Sequence, residues 1–138
     1  PHLHWFINGA LTEGKYLTSE ESAFSGNQAE LVPAVTSKVG AAFEWQELTL
    51  STQYTYTSGQ FTDATNAQRT PGAVDGLVPA YAVLDFGAKW ARGRVTLEAS
   101  LNNALNTPYF TRRAAGYPGP GIIPADGRAF FLGVGIQI

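Results

Sequence analysis

Residues 82–102 read AVLDFGAKWARGRVTLEASLN, and their alternation decides the fold. Ala82, Leu84, Phe86, Ala88 and Trp90 fall on one side of an extended chain; Val83, Asp85, Gly87 and Lys89 fall on the other. The pattern breaks at Arg92-Gly93, where glycine suits a tight turn with a positive φ. It then resumes, with Val95, Leu97, Ala99 and Leu101 opposed to Thr96, Glu98, Ser100 and Asn102. This is a β-hairpin with one apolar and one polar face.

The same period of two recurs along the chain, while helical periodicity is hard to find. Leu3, Trp5 and Ile7 alternate with His2, His4, Phe6 and Asn8. From Val35 to Trp45, Val39, Ala41 and Phe43 oppose Lys38, Gly40, Ala42 and Glu44. From Leu48 to Thr57, Leu50, Thr52, Tyr54 and Tyr56 oppose Ser51, Gln53 and Thr55. At the C-terminal end Phe130, Leu132, Val134, Ile136 and Ile138 oppose Phe131, Gly133, Gly135 and Gln137. The expected fold class is therefore all-β, an antiparallel up-and-down meander of about six strands. Each is roughly ten residues long, which is what a tilted strand needs to cross a bilayer.

The connections alternate in length. Gln46-Glu47 and Arg92-Gly93 are short, whereas the links near Leu17–Pro33, Thr62–Pro79 and Asn106–Gly127 are long. A meander gathers all short turns at one end and all long links at the other. Links beyond about 12–15 residues are uncommon in compact soluble domains, but the asymmetry is the rule in outer-membrane barrels. The aromatic residues follow the same division. Trp5, Trp45 and Trp90 fall at the short-turn rim on the apolar face, and Tyr54, Tyr56, Tyr81 and Phe130 gather toward the long-link rim. The facing of Tyr81 is left open, because it lies just outside its strand. Two such girdles suit rings that favour the headgroup level of a bilayer. The other face carries Lys38, Glu44, Gln53, Asp85, Lys89 and Glu98, too many polar groups for a packed core and suited to a wet lumen or a polar plug.

Composition narrows the function. A net charge of −2 over 138 residues gives nucleic acid no basic footprint. The absence of cysteine excludes disulfides and thiolate metal sites. There is no methionine, even at the start, so the chain is expected to be a piece of a longer one. The apolar run AFFLGVGI is too short for a spanning helix.

Taken together, VPAYAVLDFGAKW, VTLEASLNNALNTPYF and DGRAFFLGVGIQI, in that order, resemble the last three strands of TonB-dependent outer-membrane receptors. Upstream, LVPAVTSKVGAAFEW resembles the Val-Pro lead-in to an earlier strand of the same family. The link YFTRRAAGYPGPGIIPADGR looks most like the ferric citrate and siderophore branch. The resemblance implies a barrel of about 22 strands around a plug, with residues 1–138 as its C-terminal segment and the plug and earlier strands outside the chain. It implies transport, not catalysis: uptake of a ferric siderophore or ferric citrate across the outer membrane, driven by the TonB complex. Lipid and lipopolysaccharide would surround the barrel, with long links outside the cell and short turns in the periplasm. The chain departs from the family in ending on Ile138 where a terminal aromatic is usual. The alternative is a self-contained binding or structural β-protein that closes its sheet by oligomerising.

Arg112, Arg113, Tyr109 and Tyr117 in the last link are the candidate ligand contacts, since guanidinium forks suit carboxylates or phenolates and rings can cover a chelate. Arg69 is a weaker candidate. His2 and His4 offer two imidazoles on one face, but no third ligand is evident in the sequence. They are read as polar lumen residues, with no metal site and no cofactor expected. Asp85 and Lys89 share a face four residues apart, Glu98 and Lys38 face the same lumen, and all four are read as ion pairs or plug contacts. No nucleophile has an arguable base, so no catalytic residue is expected.

Overall fold

The computed structural model describes residues 1–114, 116 and 120–138. Its strands in chain order are β1 (His2–Leu11), β2 (Val35–Trp45), β3 (Leu48–Thr57), β4 (Gln60–Phe61), β5 (Leu77–Val78), β6 (Tyr81–Arg92), β7 (Val95–Asn102), β8 (Phe110–Ala114), β9 (Gly121–Pro124) and β10 (Ala129–Ile136). The six long strands form one sheet in the order β1-β2-β3-β6-β7-β10, and every pairing is antiparallel. The expected meander is the observed one. Two small hairpins, β4–β5 and β8–β9, lie within the long links and were not expected from the pattern.

Register aligns the apolar sets of all six strands. Phe43 stands opposite both Leu3 and Leu50, Leu48 lies between Trp45 and Trp90, and Leu97 lies between Trp90 and Val134. A slip of one residue anywhere would turn a strand's apolar set to the wrong face. The register also places His2, Glu44, Thr49, Lys89, Glu98 and Gly133 in one row across the polar face.

Among the described residues no second layer covers either face. Trp5 is 73% exposed and Leu132 75%, while Val78, in a small hairpin, is the only buried hydrophobic among the described residues. A globular domain would bury such a face against another element. Contiguous apolar surface on this scale marks contact with a partner or a membrane.

The polar face is relieved locally by glycine. A Cβ on Gly40 would lie 2.4 Å from Phe6 Cε1, so the Phe6 ring covers the glycine opposite it. Lys89 pairs with Glu98 across β6 and β7 at 3.3 Å, and not with Asp85. Strand period explains the difference: residues four apart on one strand stand about 13 Å apart, whereas direct cross-strand partners are about 5 Å apart. Both short turns use a left-handed residue, Gly93 at φ 59° as expected and Gln46 at φ 53°.

Candidate functional site

The three long links extend the sheet's hairpins beyond its rim. In the first, Lys15 bridges Gln28, and the Tyr16 hydroxyl donates to Glu30. The second carries β4 against β5, continued by a bridge between Arg69 and Gly76. The third carries β8 against β9, with Arg113 opposite Ile122. Backbone pairing within each link satisfies N–H and C=O groups that bare loops would leave to water.

The links are also bound to one another. Gln28 N donates to Asn66 Oδ1 at 2.7 Å, and Asn66 Nδ2 returns a bond to Gln28 O at 2.9 Å. Asn27 Nδ2 reaches Ala64 O at 2.8 Å, and Leu31 N reaches Phe61 O at 2.8 Å. Between the second and third links the connector is Arg113. Its two terminal nitrogens donate to Ala73 O at 3.1 Å and Leu77 O at 3.0 Å, and its guanidinium lies 5.3 Å from the Phe110 ring centroid.

The four sequence candidates therefore have different surroundings. Arg113 is engaged by carbonyls of a neighbouring link. Arg112, its neighbour on β8, is exposed and makes no ion pair among the described residues. Tyr109 stacks on Tyr81 with centroids 4.4 Å apart and planes at 20°. Tyr81 stands opposite Thr57, which puts it on the polar face and away from the outward aromatic girdle. Burial pushes the Tyr109 phenol above its ordinary pKa, with Tyr81, Asp85 and Asp126 adding to the effect. Tyr117 lies outside the described residues, and Arg69 is exposed on the second link.

Arg113→Ala is expected to raise amide exchange across residues 73–78 while leaving the six-strand sheet as protected as before. Arg113→Lys should restore little, because a point charge on a flexible stem cannot fork to two carbonyls as guanidinium does. Hydrogen-exchange mass spectrometry of the full-length protein reads both. Wild-type exchange in the alanine variant would mean that Arg113 holds nothing.

Below the stacked tyrosines lies a cluster that sequence reasoning did not single out. Asn103, only 3% exposed, adopts φ 48°. Its backbone N–H donates to Asp85 Oδ1 at 2.8 Å. Its amide donates to Thr107 O at 3.0 Å and Asp126 O at 3.2 Å, and its Oδ1 accepts from Thr107 N at 2.9 Å. Asn106, at φ 52°, accepts from Arg128 N at 3.0 Å. The segments VLD, NNALN and DGR are thus one hydrogen-bonded staple joining the start of the last link to its end. The paired asparagines were the available signal, since Asn is among the few residues that visit the left-handed region routinely.

No family model and no curated protein matches the chain. Among solved structures, it is similar to the unliganded ferric citrate transporter FecA, at 17% identity and a TM-score of 0.85, over 96% of this chain and 21% of that one. It is similar to BauA, the ferric preacinetobactin receptor of Acinetobacter baumannii, at 22% identity and 0.76, over 98% of this chain and 20% of BauA. The siderophore receptor PiuA of Acinetobacter baumannii gives 22% and 0.71, over 96% of this chain and 19% of PiuA. The chain spans about a fifth of the length of each. Its fold is that of a stretch of β-sheet from these receptors.

Proposed function

We propose that the chain is the C-terminal wall segment of a TonB-dependent outer-membrane receptor that takes up a ferric siderophore or ferric citrate. One observation carries this reading: a single-layer meander exposes an apolar, aromatic-bordered face on one side and a charged face on the other. A closed sheet between lipid and an aqueous interior satisfies both faces and every strand edge. The likeness to ferric chelate receptors supports the cargo class. Lipid and lipopolysaccharide meet the apolar face, and the TonB complex acts through a part of the receptor outside this chain. Transport needs no catalytic residue here.

Of the mouth residues, Arg112 and Tyr109 serve direct contact with the chelate, and Arg113 serves by holding the links. Titrating purified full-length receptor with ferric citrate or a ferric siderophore tests the assignment. Arg112→Ala should weaken binding more at low salt than at high salt, because exposed charges are screened over about 8–10 Å at physiological ionic strength. Unchanged affinity at low salt would leave Arg112 a solvated loop charge, and no binding of any ferric chelate would sink the cargo class.

The same reading puts the short turns in the periplasm and the long links outside the cell, as outer-membrane barrels do. Cysteines at Gln46 and Gly93 should react in intact cells only with reagents that reach the periplasm. Labelling of either by an impermeant external reagent would invert the topology.

A further inference from the structure

At the short-turn end of the polar face stands a group that the transport reading leaves unused. His2 and His4 are two residues apart on β1, so both imidazoles project from one face. Their ring centroids are 6.5 Å apart with planes at 30°. The sequence offered no third donor, but strand register supplies one. Glu44 is the direct cross-strand partner of His2, and its Oε2 lies 3.9 Å from His4 Nε2. The nearest lysine on that row, Lys89, is engaged by Glu98. Among the described residues no Lys or Arg pairs with Glu44.

Two imidazoles and a carboxylate, with a fourth position open, is a donor set that zinc accepts readily. Imidazole also suits copper and nickel, whereas magnesium and calcium seek all-oxygen cages. Among the described residues no three such groups already converge on one point. Convergence requires the side chains to turn toward one another. Nitrogens about 2.0–2.1 Å from a shared tetrahedral ion put ring centroids roughly 5 Å apart. The His4 and Glu44 side chains, 66% and 50% exposed, have solvent beside them into which to turn. We propose that His2, His4 and Glu44 bind a divalent transition-metal ion of the zinc, copper or nickel type, clipping β1 to β2 at the short-turn rim.

Calorimetric titration of chelator-stripped full-length protein with zinc chloride tests this. One equivalent present in the wild type should be missing from His2→Ala and from His4→Ala. Glu44→Gln should weaken that equivalent by about tenfold or more, since even a ligand's outer partners are worth about 10–100-fold in affinity. All three side chains are exposed, so thermal unfolding in chelator should match wild type and separate metal loss from misfolding. Equal stoichiometry and affinity in all four proteins would overturn the site. Binding that depends on His4 alone would overturn the three-ligand set.

Discussion

Arginine at Leu50, Leu97 or Val134 is expected to destabilise the full-length barrel by roughly 2–4 kcal/mol, the cost of a guanidinium deep on a lipid-facing strand. All three side chains lie mid-strand on the continuous apolar face and are exposed, at 44%, 43% and 71%. Arginine at Ser51, Thr96 or Gly135, next along the same strands but on the polar face, should cost far less. Within this chain a Cβ at Gly135 would meet Thr96 Cβ at an ordinary 3.7 Å. Equilibrium unfolding in lipid vesicles measures both sets. If the two sets lost equal stability, the lipid and lumen faces would be misassigned.

Asn103→Ala is expected to cost about 2–4 kcal/mol, combining three lost hydrogen bonds to partly buried and exposed partners with an alanine forced into the left-handed region. The loss falls on Thr107 N, Thr107 O and Asp126 O, each of which now bonds to the Asn103 side chain. Asn103→Gly separates the two causes: it relieves the φ strain but restores no bond, so it should recover only the smaller part. Unfolding of the two variants side by side, with amide exchange at Thr107, is the measurement. An alanine variant as stable as wild type would make the staple incidental.

What could be read in the sequence follows from period two. Alternation from Val95 to Asn102 is a local property, so it gave both the strand and its faces, and six such runs gave the sheet. The tight turn at Gly93 was readable because few residues tolerate a positive φ. The links resisted for the opposite reason. Gln60–Phe61 and Leu77–Val78 are too short to show a period, and they pair across residues 62–76. Tyr81 could be placed only by its partner Thr57. Among the candidate site residues, the type of Arg113 was visible but its engagement was not, because Ala73 and Leu77 lie about forty residues away in the chain. The third member of the histidine cluster was hidden in the same way, since Glu44 meets His2 through register and not spacing.

The stagger of the tryptophans sets the pitch of the wall. Trp90 and Trp45 share a cross-strand row through Leu48, but Trp5 stands opposite Ala41, four residues before Trp45. The offset falls between β2 and β1; averaged over the three spacings from β6 to β1, at about 4.8 Å each and about 3.3 Å per residue, it is a mean inclination of about 40°, within the range of membrane barrels. Phe130 shows the same slant at the other rim: its row runs through Leu101 and Phe86 to Thr52, short of Tyr54 and Tyr56. In the proposed barrel, where indole rings seek the headgroup level, the water line climbs along β1 as far as Trp5. In that barrel the first residues of the strand, His2 and His4 with them, then hang beyond the headgroup level as a hem that water can wet.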